Sequence, residues 1–286
     1  MPASLNSPGI GRLDAEAERG DGVHGEDAVI AAKPRQDYIL SATDIVRRFG
    51  GVVAVNGVSL QVRRGTIHAL IGPNGAGKTT FFNIMTKFLP PTSGTIVFNG
   101  QDITGLTPPR VARLGMVRSF QISSVFPQLT VLENVRVALQ RKRRHSFDFY
   151  RSGRALRPLD ARAVELLLTV GLGDSANLKA GALSYGRKRT LELATTLALD
   201  PEMLLLDEPM AGMGHEDVDR MADLIRQIAI DRTILMVEHN LSVVASLSDE
   251  ISVLARGQVI AQGDYRSISA DPRVIEAYIG GADADG

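Results

Sequence analysis

The stretch TIHALIGPNGAGKTT, residues 66–80, decides the fold class of this 286-residue chain. Its first six residues are mostly apolar and predict a buried strand. The segment 72–79 then fits the pattern G-x-x-x-x-G-K-[ST] at every fixed position, and apolar residues after it predict a helix from Lys78 to about Leu89. A strand, a glycine-rich loop and a helix in this order are typical of a loop that binds phosphate groups.

The residues of this phosphate loop (72–79) each suit a nucleotide. Glycines permit a tight turn whose backbone N–H groups point at phosphate oxygens. Lys78 is predicted to reach the β- and γ-phosphates and the Thr79 hydroxyl to ligate Mg²⁺, while the helix dipole favours the anion. We therefore predict ATP and Mg²⁺ as ligands. The predicted nucleotide-binding residues in this stretch are Gly72, Pro73, Asn74, Gly75, Ala76, Gly77, Lys78, Thr79 and Thr80.

A second apolar run supplies two carboxylates. MLLLDEP, residues 203–209, predicts a buried strand that ends in Asp207 and Glu208. Ligands of parallel α/β sheets bind beyond the carboxyl ends of the strands, where the phosphate loop also lies. We predict that Asp207 holds Mg²⁺ and that Glu208 acts on the attacking water. The alternative, a solvated turn before Pro209, is disfavoured because four apolar residues lead directly into the two acids.

The remaining pattern predicts an α/β fold with a helical insertion. Further strands are predicted at 38–46, 52–62, 91–100 and 233–239. An amphipathic helix is predicted at 215–230, and the segment 130–182 reads as mostly helical. Within this segment, Val164, Leu167 and Leu168 are predicted to form the apolar face of one helix, and Gly171 is predicted to end it. Strands that are apolar on both faces and alternate with helices favour a parallel sheet covered on both sides.

Composition limits the class of protein. Hydrophobic residues make up 44% and charged residues 22%, enough for a sizeable core, while 32 basic and 32 acidic residues give zero net charge. A globally basic nucleic-acid binder is therefore disfavoured. The absence of cysteine excludes disulfides and thiolate metal sites. No run approaches the roughly 18 apolar residues of a membrane-spanning helix, and the start lacks a signal peptide, so we predict a cytoplasmic protein.

Two segments and the histidines have no assigned chemistry. Residues 1–37 are rich in Gly, Ala and charged residues and predict a disordered tail, although a wrongly chosen start codon would look the same. A basic cluster, Arg141–His145 with Arg151, Arg154 and Arg157, favours a solvated face over contact with anionic lipid or nucleic acid. His68 is predicted to be a core residue, and the five histidines show no metal-binding spacing.

The order of motifs indicates a family. Lys78 and Asp207 are 129 residues apart (207 − 78), with Gln121 in VRSFQ and the segment LSYG, 183–186, between them. His239 follows the apolar run at 233–237. In this order the chain resembles the ATP-binding subunit of an ATP-binding-cassette (ABC) transporter. The resemblance covers about residues 38–282.

That resemblance implies a P-loop NTPase cassette with a mainly parallel sheet and an antiparallel β subdomain. It also implies a helical subdomain at about 122–198 and a C-terminal helix at about 271–281. Two copies would enclose two ATP molecules. The signature residues act on the nucleotide of the opposite copy; here they are Ser184, Tyr185 and Gly186.

The resemblance also implies a role for four further positions. Phe49, in RRFGG, would stack on adenine, and its alternative is an ordinary core residue. Gln121 would join Thr79 and Asp207 around Mg²⁺ and link them to the membrane partner; its alternative is a polar strand end. Glu208 would be the general base and His239 the histidine that contacts the γ-phosphate.

A finer resemblance points to the subfamily that imports branched-chain amino acids. It is carried by RRFGGVVAVNGVSLQV, VRSFQISSVFPQLTVLENVRVA and DPRVIEAYIGG. It implies a peripheral ATPase at the cytoplasmic face of the plasma membrane. Its partners would be two permeases, a second identical or paralogous ATPase subunit and, indirectly, a substrate-binding protein, with no nucleic acid. Alternatives are an importer of urea or short amides and a soluble ABC ATPase; a P-loop kinase or GTPase fits the spacing poorly.

Two residues depart from the family pattern. Arg187 follows the signature where glutamine is usual. We expect activity to survive, because Ser184 and the Gly186 amide make the phosphate contacts; the alternative is that Arg187 adds charge near the composite site. Gly214 ends the segment AGMG, 211–214, where aspartate or asparagine is common. Without a side chain at this position, communication between the two sites of a dimer is expected to be looser.

Overall fold

Two β-sheets form the framework of the protein. The computed structural model describes residues 37–119, 125–140 and 159–282, all within one unit of the chain, Gln36–Gly286. The predicted tail lies outside the described residues except for Asp37. Gln121 and the basic cluster of 141–157 also lie outside them.

The described strands, in chain order, are β1 (Tyr38–Phe49), β2 (Val52–Arg63), β3 (Ile67–Ile71), β4 (Ser93–Phe98), β5 (Gln101–Asp102), β6 (Met116–Arg118), β7 (Met203–Asp207), β8 (Thr233–Val237), β9 (Glu250–Ala255) and β10 (Gln258–Gly263). The α-helices are α1 (Lys78–Met85), α2 (Pro108–Arg113), α3 (Val131–Gln140), α4 (Asp160–Thr169), α5 (Tyr185–Leu197), α6 (His215–Ala229), α7 (Leu241–Leu247), α8 (Tyr265–Ser269) and α9 (Pro272–Ala282).

The larger sheet has six strands in the order β10-β9-β3-β8-β7-β6. All its neighbours are parallel except β10 and β9. Every residue of β3, β7 and β8 is buried, as expected of strands covered on both faces. Val237 pairs with both Leu70 and Asp207, which aligns the carboxyl ends of the three strands at one edge. The predicted mainly parallel sheet is confirmed.

The smaller sheet is antiparallel and has the order β2-β1-β4-β5. One apolar cluster joins it to the larger sheet and includes the fully buried side chains of Phe81 and Phe82 from α1. Helix α1 therefore lies between the two sheets and fixes the loop that precedes it. The predicted antiparallel sheet is present.

Helix α1 is shorter than predicted. It ends at Met85 rather than near Leu89, and Thr86 caps it. The Thr86 hydroxyl donates to the carbonyl oxygen of Phe82, and Lys87 adopts a left-handed conformation with φ 64°. A residue in this conformation cannot continue a right-handed helix, so the apolar residues after it pack as a loop.

Helices α3, α4 and α5 pack on one another within the range predicted for a helical subdomain. Their buried residues belong to one apolar cluster that continues into the larger sheet. The buried face predicted for α4 is wrong by one position, since Val164 and Leu168 are 40% and 66% exposed. The buried positions are Ala163, Leu166, Leu167 and Val170. Gly171, with φ 73°, follows the end of this helix as predicted.

His68 is a buried core residue, as predicted. It lies on β3 with its side chain fully buried, and its Nε2 lies 2.9 Å from the hydroxyl of Ser252. Its Nδ1 lies 3.8 Å from a carboxylate oxygen of Glu250. Burial lowers the pKa of His68 to about 4, because the charged imidazolium is poorly solvated there.

This burial predicts an acid-sensitive fold. The unfolded chain, with a His pKa near 6.5, binds more protons than the folded chain between pH 6.5 and 4, so stability is lost as the pH falls through this window. We expect His68 to remove about 2–3 kcal/mol from the free energy of unfolding between pH 7 and about pH 4.5. Urea unfolding at both pH values should show that His68→Gln abolishes this component. An equal loss in both proteins would contradict the assignment.

Across the described ranges, no helix combines the length and the apolar character that a membrane span requires.

Candidate nucleotide site

The phosphate loop connects the carboxyl end of β3 to the start of α1, as predicted. All three of its glycines, Gly72, Gly75 and Gly77, have positive φ angles, of 149°, 74° and 96°. A Cβ at position 72 would lie 2.0 Å from the carbonyl oxygen of Leu254, and one at position 77 would lie 2.4 Å from that of Ala54. The loop is thus wrapped against backbone on both sides, which leaves room for glycine alone at these two positions.

Lys78 closes over the loop in this structure. Its ammonium group donates to the carbonyl oxygens of Gly72 at 2.6 Å and Pro73 at 2.9 Å. Burial lowers the pKa of Lys78, and the charge of Glu208 opposes this shift. A cation held at a glycine-rich loop that precedes a helix is suited to a polyphosphate.

Asp207 and Glu208 follow one another at the end of β7. Asp207 is buried and accepts a hydrogen bond of 2.6 Å from the guanidinium of Arg118. Glu208 has φ 46°, a left-handed conformation that is costly for a residue with a side chain. Its N–H donates to the carbonyl oxygen of Val237 at 2.9 Å, which holds the strained turn. The turn directs consecutive carboxylates to different surroundings.

His239 follows the neighbouring strand β8 and lies beside Glu208. Its Nδ1 is 3.9 Å from Oε1 of Glu208, and its side chain is 63% exposed. The structure therefore places the phosphate loop, Asp207, Glu208 and His239 at one edge of the sheet, as the parallel topology predicts.

Phe49 ends β1 at the rim of the smaller sheet. The interpretation as a core residue is wrong, because its side chain is 46% exposed. The guanidinium of Arg47 lies 4.6 Å from the centre of its ring. An exposed ring supported on one side by a cation is free to stack a planar group on its other face.

The signature residues lie at the start of α5. Ser184 is its N-cap, and its hydroxyl accepts from the N–H of Arg187 at 3.4 Å. The Tyr185 hydroxyl donates to the carbonyl oxygen of Ala211 at 3.2 Å. A Cβ at Gly186 would lie 2.4 Å from a carboxylate oxygen of Asp217. The signature is thus tied to the segment that follows Glu208 and to the first turn of α6.

The two departures from the family pattern lie close to this region. Arg187 is exposed on the first turn of α5. Gly214 is the N-cap of α6 and provides no side chain for the free N–H groups of the first turn. The effects predicted for both residues stay predictions.

Comparison with known proteins identifies the family. The ABC transporter family matches residues 55–211, and the family described as branched-chain amino acid ATP-binding cassette transporter matches residues 258–284. The high-affinity branched-chain amino acid transport ATP-binding protein BraF of Pseudomonas aeruginosa is 40% identical over 254 residues, which cover 85% of this chain and 98% of that protein. The chain belongs to the branched-chain amino acid subfamily of ABC transporter ATP-binding proteins.

A further relative and a solved structure agree with this assignment. LivG of Escherichia coli strain K12, which has the same description as BraF, is 39% identical over 251 residues and is covered to 98%. A crystal structure of a nucleotide-free ATP-binding cassette from an ABC transporter has a TM-score of 0.76 and 31% identity, with 85% of this chain and 99% of that chain covered. The predicted ABC cassette fold is confirmed, and so are nucleotide binding and ATPase activity as properties of the family.

This ABC subunit offers Mg²⁺ few ligands of its own. In the described part of the chain, no group of three or more histidine, aspartate or glutamate side chains could hold a metal ion. The hydroxyl of Thr79 at the start of α1 and the buried Asp207 nevertheless suit Mg²⁺, which keeps waters and phosphate oxygens as its other ligands. Gln121, the third predicted ligand, lies outside the described residues.

Sequence reasoning missed Glu238, which positions His239. Its carboxylate is 1% exposed and accepts from three backbone N–H groups, those of Met210, His239 and Asn240. These amides belong to the turns after β7 and β8, so one buried carboxylate holds both together. The signal available was an acid directly before the histidine in MVEHN, where a buried strand ends.

The C-terminal helix also reaches the phosphate loop. Helix α9 confirms the helix predicted at 271–281. Its Tyr278 packs against the larger apolar cluster. Burial raises the pKa of the Tyr278 phenol, and a hydrogen bond with the backbone of Gly72 opposes that rise. The subfamily-specific end of this ABC subunit is therefore in contact with the first residue of its phosphate loop.

Proposed function

We propose that this chain is the ATP-hydrolysing subunit of an importer of branched-chain amino acids. The observation that carries the proposal is the arrangement at one edge of the larger sheet. There the phosphate loop, a buried Asp207, a strained Glu208 and an exposed His239 converge. The substrate class rests on the relatives, whose names assign them to branched-chain amino acid transport.

Binding of ATP would use the phosphate loop for the phosphates and Phe49 for the base. The backbone amides of the loop and the Lys78 ammonium would bind the phosphates, for which Lys78 exchanges its present contacts with the Gly72 and Pro73 carbonyls. Phe49 stacks on the adenine. Mg²⁺, held by Thr79, Asp207 and Gln121, would neutralise charge on the phosphates.

Hydrolysis would use the pair at the ends of β7 and β8. The Glu208 carboxylate accepts a proton from the attacking water, and its strained backbone fixes where that carboxylate points. His239, whose Nδ1 lies 3.9 Å from Oε1 of Glu208, donates to the γ-phosphate, and Glu238 holds its backbone in place. The signature of the second copy, Ser184 to Gly186, completes the site from the opposite side. Hydrolysis is therefore limited to a closed dimer.

The permeases would dock in an apolar groove beside α1 and α2. A cavity of about 380 Å³ lies there, lined by Phe88, Val111, Ala112, Met116 and Leu199 among others. A neighbouring cavity of about 220 Å³ is lined by Phe126, Val137 and Leu199. Phe88 and Phe126 are both half exposed. Exposed apolar surface of this kind is typical of a protein contact site. In this proposal the contact with the permeases holds the subunit at the cytoplasmic face of the membrane.

Adenine stacking predicts the effect of replacing Phe49. Phe49→Ala should weaken ATP binding by about 5- to 150-fold, since stacking of a base on an aromatic ring is worth about 1–3 kcal/mol. Phe49→Tyr should bind nearly as tightly as the unaltered chain, and the matched control Val52→Ala changes an exposed apolar residue on the adjoining strand. Equilibrium binding of ATP and of inorganic triphosphate checks this. Equal weakening of both ligands would assign Phe49 to the fold rather than to the base.

Purification from membranes tests the function as a whole. A tagged Glu208→Gln chain, held with ATP and Mg²⁺, should retain the closed dimer in mild detergent because hydrolysis cannot open it. Mass spectrometry should then find two polytopic permeases and a second ATPase subunit. If only soluble partners are recovered, the proposed transporter function is wrong and the chain is a soluble ABC ATPase.

A further inference from the structure

Arg118, at the end of β6, joins the metal site to α1. One nitrogen of its guanidinium, Nη2, donates to Oδ2 of Asp207 at 2.6 Å. The other, Nη1, donates to Oδ1 of Asn83 at 2.7 Å and lies 3.4 Å from the hydroxyl of Thr86. The side chains of Arg118 and Asp207 are 13% and 4% exposed. This is a largely buried ion pair between neighbouring strands.

Aromatic rings enclose the cation. The Arg118 guanidinium lies 5.2 Å from the ring centre of Phe82 and 5.4 Å from that of Phe88. Aromatic faces stabilise a desolvated guanidinium, which cannot lose its proton in a protein. The same side chain lines both apolar cavities described above. Arg118 is therefore a permanent positive charge placed between the groove and Asp207.

Asp207 requires this charge when no metal is bound. A buried carboxylate without a partner is strongly disfavoured, and Arg118 is the one cation that forms an ion pair with Asp207 among the described residues. Binding of Mg²⁺ brings a second cation to the same carboxylate. Two cations at one carboxylate repel each other, so each weakens the binding of the other.

We propose that Arg118 is a positioning residue that neutralises and orients Asp207 before the metal arrives, and thereby weakens Mg²⁺ binding. The inference rests on the proposed function, in which Asp207 holds Mg²⁺. A more weakly held Mg²⁺ would leave the site more readily once the nucleotide is spent.

Equilibrium binding of the non-hydrolysable analogue AMP-PNP tests the proposal with the full chain. For the unaltered chain and each variant, the dissociation constant of AMP-PNP measured in EDTA is divided by the constant measured in Mg²⁺. This ratio states how much Mg²⁺ tightens nucleotide binding. Arg118→Met, which keeps length and apolar contact without charge, should raise this ratio about tenfold, while Arg118→Lys should keep it within about twofold. The control Arg136→Met removes a second partly buried ion pair, that of Arg136 with Asp160 at 2.6 Å, and should leave the ratio unchanged.

The outcomes separate this inference from the proposed function. If Mg²⁺ fails to tighten binding to the unaltered chain, the metal role of Asp207 and this inference both fall. If Mg²⁺ does tighten binding and Arg118→Met matches the unaltered chain, the inference alone is wrong.

A second measurement covers the case in which Arg118→Met does not fold. The Nε–H signal of Arg118 in the unaltered chain, assigned by its loss in Arg118→Lys, should shift when Mg²⁺ joins the AMP-PNP complex. If the Arg118 Nε–H signal does not shift on addition of Mg²⁺, the inference is wrong.

Discussion

Glu208→Gln should lower the rate of ATP hydrolysis by about 10²- to 10⁴-fold and leave ATP binding within about threefold of normal. Glutamine has the size of glutamate but cannot accept a proton from the attacking water. Its carboxamide can occupy the same turn, where the backbone N–H of residue 208 donates to Val237. Phosphate release at saturating ATP and equilibrium ATP binding measure the two effects separately.

The control for this prediction is Glu216→Gln. Glu216 lies in the first turn of α6 with its side chain 88% exposed and pairs with Arg220. Glu216 carries the same charge as Glu208 and lies at the start of the next helix along the chain. Its replacement therefore tests whether loss of any nearby negative charge lowers the rate of hydrolysis. Turnover of this control should stay near normal. A loss of less than tenfold in Glu208→Gln, or an equal loss in the control, would remove Glu208 from the role of base.

Gly72→Ala should abolish measurable nucleotide binding and lower the melting temperature by about 5–12 °C. The added methyl group would lie 2.0 Å from the carbonyl oxygen of Leu254, which belongs to the backbone of β9 and cannot rotate away. The left-handed φ of 149° adds strain for any side chain. Together they displace the start of the phosphate loop at a cost of about 2–4 kcal/mol.

The matched control for the loop is Gly105→Ala. A Cβ at Gly105 meets no atom within 4 Å, so this variant should bind ATP and melt like the unaltered chain. Thermal unfolding with and without nucleotide measures both quantities at once. Retention of nucleotide-dependent stabilisation in Gly72→Ala would show that the loop tolerates a side chain, contrary to the geometry of its contact with β9.

The centre of the site could be predicted from the sequence because its signals are local. The phosphate loop and the Asp207–Glu208 pair each lie at the end of an apolar run. The parallel sheet expected from those runs brings them together without further information. Arg118 could not be assigned in this way, since its contact with Asp207 spans 89 residues and nothing in VRSFQ marks an arginine that turns inward.

Local errors have equally specific causes. In α4, residues 166–168 are all leucine, so the sequence is compatible with two alternative apolar faces that differ by one position. Packing selected the phase that places the small Ala163 against its neighbours and leaves Leu168 exposed. Strands β9 and β10 received no prediction, although Gly257, with φ 76°, marks the turn between them. That turn matters for the site because the Gly257 N–H donates to the carbonyl oxygen of Ala76 in the phosphate loop.

Uptake of labelled leucine, isoleucine and valine into cells that lack this chain tests the central claim most directly. We expect such cells to lose ATP-dependent uptake of these amino acids. The unaltered chain should restore it and Glu208→Gln should not, while the uptake of labelled urea and acetamide should remain normal throughout. Normal uptake of the three amino acids in the deleted cells, with loss of urea or acetamide uptake in their place, would contradict the account.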